Sequence, residues 1–271
     1  MPEIAEVETV RRALLKQIIN KKISGIDIHY SKTIINQYED INQIVNQTFQ
    51  DIKRIGKWLI FELNDYYLLS HLRMEGKYFL KNINEEINKH EHVVFHLENN
   101  IDLRYHDTRK FGRMMLIDKS DLYNIEAIKK QGIEANSKEL NAKYLKDKMI
   151  KKHNAIKTSL LDQTIISGLG NIYADEVLFV AKINPLRPSN SLSMENYKKI
   201  VDASFQVITD AIRLGGTTIK SYTSSLGVLG GFQNQLKVHK KEGEPCCICQ
   251  SKIIRIKVNG RSTYYCPNCQ K

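Results

Sequence analysis

All five cysteines of this 271-residue chain fall between Cys246 and Cys269. Two residues separate Cys246 from Cys249, two separate Cys266 from Cys269, and sixteen lie between the pairs. That spacing lets two tight turns present four thiolates at the corners of a tetrahedron, as in a structural zinc ribbon. One Zn2+ is therefore expected on Cys246, Cys249, Cys266 and Cys269, holding the fold and performing no chemistry. Pairing Cys247 with Cys249 would leave one intervening residue, a strained chelate, so Cys247 is expected to be a bystander. The clustering excludes a disulfide framework for the whole chain.

The remaining length suggests about two domains at ~150 residues each. No apolar run approaches the ~18 residues that a membrane helix needs, so no membrane partner is expected. The start, MPEIAEVETV, has glutamates where a secretory signal needs a basic and then an apolar stretch, which points to the cytoplasm. Net charge is +11, and it is unevenly placed. Residues 1–128 hold 18 Lys/Arg against 19 Asp/Glu, whereas residues 129–271 hold 23 against 11. A basic C-terminal half suits a polyanion through counterion release. It equally suits a lysine-rich solvated surface under AT-biased coding.

Along the chain, Ile4, Val7, Val10, Leu14 and Ile18 recur at helical spacing, with Pro2 at the first turn where its missing N–H costs nothing. Short apolar stretches follow: KISGIDIHY, GKWLIFEL, YYLLSHL, HVVFHLE, and IDLRYHD paired with RMMLID. They read as strands of an antiparallel sandwich or barrel. Residues 121–152 read as polar and helical with a break at Gln131-Gly132, and residues 157–215 read as all helix. Five of the fourteen glycines lie in residues 215–231, which argues for a mobile loop. In VNGRSTYY, Arg261 falls near the tip of a hairpin between the cysteine pairs, suited to phosphate contact or to a plain solvated turn.

Pro2 has a second reading. Removal of Met1 ahead of a small residue would expose a secondary amine, and an α-amine, with a pKa of ~7.7–8.0 against ~10.4 for lysine, is the better nucleophile near neutrality. Glu3 and Glu6 would lie beside it on the first turn, placed for proton transfer or simply for helix capping.

Several motifs occur in order: PEIAEVET, GKWL, HLRMEGKY, DTRKFGRM, LLDQ through GLGNIYADEVLF, GGTTIKSY, KKEGEPC and YYCPNCQK. Together, over essentially the whole chain, they resemble the formamidopyrimidine-DNA glycosylase family. The resemblance implies an α+β multidomain protein: an antiparallel β-sandwich bearing a catalytic N-terminal helix (1–128), a helical helix–two-turn–helix domain with a lesion-recognition loop (129–235), and a zinc finger (236–271). It implies a bifunctional DNA glycosylase and abasic-site lyase that excises 8-oxoguanine and formamidopyrimidines from double-stranded DNA. The protein would act as a monomer in the bacterial cytoplasm, associated with the nucleoid when bound to DNA. Pro2 corresponds to the nucleophile that forms a Schiff base, Glu3 to the general acid, and Glu6 to a supporting carboxylate. Lys57 corresponds to a lysine that contacts phosphate at the lesion and Arg261 to the zinc-finger arginine, and the resemblance counts both with Pro2 and Glu3 in the catalytic set. His71, Asn171 and Lys157 belong to the DNA-binding set, and Met74, Arg109 and Phe111 to the residues that fill the gap left by an extruded base. Thr217, Thr218, Ser221 and Tyr222 correspond to the loop that closes over that base. The sequence departs from the family's usual pattern at Ile4 and Ala5, at Cys247, and at His239-Lys240. An endonuclease VIII-like enzyme for oxidised pyrimidines and a non-catalytic damaged-DNA-binding protein are the alternatives; intact Pro2, Glu3 and Glu6 argue against the second.

Overall fold

The first helix, α1 (Ile4–Ile18), buries the stripe Val7, Val10, Leu14 and Ile18. Each such side chain contributes about 1.5–3 kcal/mol when removed from water. In a computed structural model that describes residues 1–35, 37–217 and 230–271, this stripe joins the core of a β-sandwich. The strands are β1 (Ile23–Ile28), β2 (Asp51–Ile55), β3 (Trp58–Glu62), β4 (Tyr66–His71), β5 (Lys77–Asn82), β6 (Glu91–Leu97), β7 (Ile101–His106) and β8 (Arg113–Asp118). They form two antiparallel sheets, ordered β1-β6-β7-β5 and β2-β3-β4-β8.

Leu59 and Phe61 of β3 join the core with α1, while Trp58 and Ile60 face a second cluster with Leu122, Ile125 and Ile128. Both faces of β3 are thus covered, which is why WLIF is apolar throughout. The two strands that the pattern missed, β2 and β5, are sheet edges with one fully buried residue apiece, Ile52 and Tyr78. The expected pairing of residues 101–107 with 113–118 is not formed: β7 pairs with β5 and β6, and β8 pairs with β4. The chain changes sheets between β4 and β5 and again between β7 and β8, so Met74 lies on a crossover between the sheets.

Met1–Lys129, ending in the short α2 (Glu126–Lys129), forms one compact unit; Lys130–Thr217 with Gly231–Lys271 forms the other. The second contains α3 (Ala142–Met149), α4 (Ile156–Leu160), α5 (Asn171–Val180) and α6 (Met194–Arg213). A parallel pair, β9 (Ile133–Glu134) with β10 (Ile166–Ser167), interrupts the expected all-helical run. The Asp162 carboxylate stops α4 by accepting from the backbone N–H and hydroxyl of Thr164, local bonds that compete with helix propagation. Residues 121–152 are also less helical than expected, with α2 and α3 as their α-helices and β9 between them. The hairpin of β11 (Ile254–Val258) and β12 (Arg261–Tyr265) completes the unit, with Phe179 of α5 packed among Val238, Cys246, Ile253 and Cys266. Of the glycine-rich stretch expected to be a mobile loop, residues 218–229 lie outside the described residues. Among the described residues no helix is long and apolar enough to cross a membrane.

Candidate functional sites

At the start of α1 the acids lock each other. The Glu3 carboxylate accepts the backbone N–H of Glu6, and Glu6 Oε2 accepts the backbone N–H of Glu3 at 2.9 Å, a reciprocal capping box. Both side chains are nearly inaccessible, at 2 % and 3 % exposure for Glu3 and Glu6. Pro2 is buried immediately before them. The capping and acid–base readings are therefore compatible: the bonds that satisfy the helix end also fix two carboxylates beside Pro2, at the positive end of the helix dipole.

Lys57 lies in the turn from β2 to β3, after Gly56 at φ 57°. Arg54 donates to the Gly56 carbonyl at 3.0 Å and to Glu8 Oε2 at 3.1 Å, so a carboxylate of α1 steadies the turn that carries Lys57. Burial alone would raise the Glu8 pKa, but hydrogen bonds from Arg11 and Arg12 and the charges of Arg11 and Arg54 bring it to about 2. At the end of β4, His71 Nδ1 accepts the Arg73 N–H at 3.0 Å, and its ring meets Trp58 edge-on at 4.9 Å. Burial first, then the cationic charges of Arg73 and Lys57, press its pKa down to about 3. His71 is thus a neutral imidazole whose proton sits on Nε2, a donor that carries no charge.

Met74, Arg109 and Phe111 are all exposed, Met74 by 38 % and Phe111 by 47 %, which sets them apart from the core. Their loops share one support. A Cβ on Gly76 would come within 2.3 Å of the Tyr105 hydroxyl and one on Gly112 within 1.6 Å, so both crossovers pack against the same oxygen. Thr108 also donates to the Glu75 carboxylate across them. Buried Asp107 organises the second loop, accepting the backbone N–H groups of Arg109, Phe111 and Gly112 at 2.9, 3.0 and 2.8 Å. The Arg109 guanidinium lies 4.8 Å from the centre of the Phe111 ring. Sequence reasoning missed Asp107, although an Asp two residues before a bonded N–H is an Asx-turn signal.

In the second unit, the Sγ atoms of Cys246, Cys249, Cys266 and Cys269 lie within 4.8 Å of one another. Zn–S bonds of ~2.3 Å in a tetrahedron place sulfurs about 3.8 Å apart. The observed 3.8 Å for Cys246–Cys269 and 3.4 Å for Cys249–Cys266 fit that ion. Cys247 is exposed and outside the cluster. Asn259 and Gly260, both at positive φ, make the two-residue turn of the hairpin, and exposed Arg261 is the first residue beyond it. Asn171 opens α5 and donates from Nδ2 to the Ser262 carbonyl at 2.9 Å, adjacent to Arg261.

Lys157 departs from the DNA-binding role expected of it. It is wholly buried, paired with Asp175 at 2.7 Å, and donates to Thr263 Oγ1 at 2.8 Å and the Ser262 carbonyl at 3.0 Å, which spends its charge on protein partners. Thr217 is buried at the edge of the glycine-rich segment; Thr218, Ser221 and Tyr222 lie outside the described residues.

Three family models match in chain order: the formamidopyrimidine-DNA glycosylase N-terminal domain over residues 1–114, its H2TH domain over 131–223, and a zinc finger found in FPG and IleRS over 243–271. The chain is 44% identical over 273 residues to a formamidopyrimidine-DNA glycosylase of Listeria monocytogenes, covering 100% of both. It is 45% identical over 272 residues to one of Ligilactobacillus salivarius, covering 100% of this chain and 99% of that one. The fold superposes on Lactococcus lactis Fpg in complex with an abasic site containing DNA with a TM-score of 0.93 at 41% identity, covering 99% of each chain. The same score and identity, over 100% of each chain, hold for the wild-type Lactococcus lactis protein with an N7-benzyl-Fapy-dG containing DNA. Matched from end to end in module order, in sequence and in fold, the chain belongs to the formamidopyrimidine-DNA glycosylase family.

Proposed function

We propose that this protein is a DNA glycosylase of base-excision repair that removes oxidised purines, 8-oxoguanine and ring-opened formamidopyrimidines, from duplex DNA and cuts the strand at the resulting abasic site. The interlocked Glu3–Glu6 pair beside Pro2 carries the reading, in a chain matched throughout to proteins named for this activity. Solved relatives hold abasic-site and formamidopyrimidine-containing DNA, which supports the same substrate class here.

Removal of Met1 turns the Pro2 nitrogen into a secondary amine. It attacks C1′ of the damaged nucleotide as the bond to the base breaks, and Glu3 delivers a proton to the sugar ring oxygen as the ring opens. The iminium ion so formed acidifies C2′; loss of that proton expels the 3′ phosphate, and a second elimination expels the 5′ phosphate. Glu6 keeps Glu3 in place. Lys57, neutral His71, Asn171 and Arg261 contact phosphates, the last two where a helix start and a hairpin tip offer donors. Met74, Arg109 and Phe111 occupy the space of the extruded nucleotide, for which their exposure suits them. Recognition of the extruded base is assigned to Thr217, Thr218, Ser221 and Tyr222. Zinc holds the hairpin. The working modules are residues 1–128, 129–235 and 236–271, acting as a monomer in the bacterial cytoplasm and at the nucleoid when on DNA.

Single-turnover excision on matched duplexes tests the substrate class. Release of 8-oxoguanine faster than release of an oxidised pyrimidine is expected; the reverse order assigns the chain to the endonuclease VIII-like activity.

A further inference from the structure

His239 stands in the stretch leading into the zinc hairpin and is 5 % exposed. Its Nδ1 lies 2.7 Å from Asp175 Oδ2, and its ring meets Tyr264 of β12 edge-on at 5.1 Å. Asp175 Oδ1 is in turn 2.7 Å from Lys157 Nζ, which donates to the Ser262 carbonyl and to Thr263 Oγ1. One carboxylate of α5 thereby ties together the chain before the hairpin, α4, and the strand that begins at Arg261. The next residue, Glu176, strengthens the first of these ties by accepting the backbone N–H groups of Lys237, Val238 and His239 at 2.8, 3.0 and 2.8 Å.

Stability alone is a poor reason for such an arrangement. Desolvating an ion pair costs about what its attraction returns, and apolar residues of the same volume would hold two elements as well. What the pair adds is direction. The Ser262 carbonyl receives donors from both Lys157 and Asn171, and the Asn259-Gly260 turn fixes the other side, so the backbone of Arg261 is held from both neighbours. Without Asp175, the buried ammonium would have to turn towards water and release Ser262 and Thr263.

We propose that Asp175, bridging Lys157 and His239, is a positioning residue for Arg261, aiming the guanidinium of the hairpin tip at the DNA phosphate. The inference rests on the phosphate contact assigned to Arg261 above. A double-mutant cycle on the full-length zinc-loaded protein tests it, using Asp175→Asn, Arg261→Ala and their combination, with affinity for an abasic-analogue duplex, single-turnover excision, zinc content and Tm all read. Asp175→Asn should weaken binding about tenfold with one zinc retained, and the double variant should bind no worse than Arg261→Ala alone. His239→Phe keeps a ring against Tyr264 while removing the bond to Asp175; it should give a smaller loss with the same dependence on Arg261, and it carries the test if Asp175→Asn does not fold. Losses that multiply in the double variant, or wild-type binding by Asp175→Asn, overturn the positioning role while leaving Arg261 as a contact. Unchanged binding by Arg261→Ala removes the phosphate contact and the positioning role with it.

Discussion

The start of α1 and the tip of the zinc hairpin each present a small functional group, Pro2 in one case and Arg261 in the other, but they are held in opposite ways. Glu3 and Glu6 close their capping box within four consecutive residues. The strand carrying Arg261 is fixed by Lys157 and Asn171, from helices about a hundred residues earlier in the chain, and by four cysteines. A local device forms wherever its helix forms, whereas a long-range one exists only after the unit has folded. The acid beside the nucleophile should therefore withstand damage that abolishes phosphate grip at the hairpin.

Loss of the metal breaks the contrast most severely. Zinc sites of this kind supply ~10–16 kcal/mol of folding free energy to their modules. Cys246→Ser, which removes a ligand wholly buried with Phe179 and Ile253, should lose zinc by elemental analysis and most affinity for damaged duplex, while the sandwich unit still melts cooperatively. Cys247→Ser should change neither zinc content nor affinity.

Glu3→Gln sharpens the contrast from the other side. Glutamine can still accept the Glu6 N–H, so Tm should fall by less than the ~0.5–2 kcal/mol equivalent of a lost cap, but it cannot supply a proton. Base excision should slow by about 10²–10⁴-fold. Cleavage at a preformed abasic site, whose open aldehyde condenses with an amine directly, should survive in part. Equal losses on both substrates would mean that the carboxylate serves the helix end alone.

Phe111→Ala and Met74→Ala come next. A side chain inserted as a wedge is worth ~1–3 kcal/mol, so excision from duplex should drop by about 5- to 150-fold with little change at an exposed abasic site. Because both side chains project from the surface, Tm should hold; a lower Tm would return them to the core. Arg261→Ala should reduce the dependence of log affinity on log salt by about one.

The last effect concerns pH and is confined to acid conditions. His71 has a pKa of about 3 against an ordinary 6.5, so between those values the unfolded chain binds the extra proton and stability rises with pH. The contribution is complete above pH 6.5 and is lost as pH falls towards 3. His71→Gln should flatten that acid-side slope in pH-dependent melting, and wild-type excision should show no His71 transition between pH 5 and 8.

The same distinction between local and distant explains what the sequence made legible. Helix α1 and six of the eight sandwich strands were readable because each carries its own apolar rhythm, and the zinc cluster because ligand spacing is a local constraint. Edge strands β2 and β5 were not, each burying one residue completely. The assignment of β7 and β8 to different sheets depends on Asp107 turning the loop between them, and strand composition carries no trace of it. Lys157 enters the DNA-binding set only through the family resemblance; its burial depends on Asp175, eighteen positions on, and on a hairpin more than a hundred residues away, neither of which is visible in the residues around it. The bond from His239 to Asp175 is hidden for the same reason.

Borohydride reduction during the reaction on an 8-oxoguanine duplex, followed by mass spectrometry of the crosslinked peptide, tests most directly whether the start of α1 performs the chemistry. A covalent adduct on the N-terminal peptide at Pro2, with Met1 absent, is the expected result. No adduct, or an adduct on a lysine such as Lys57, would contradict it.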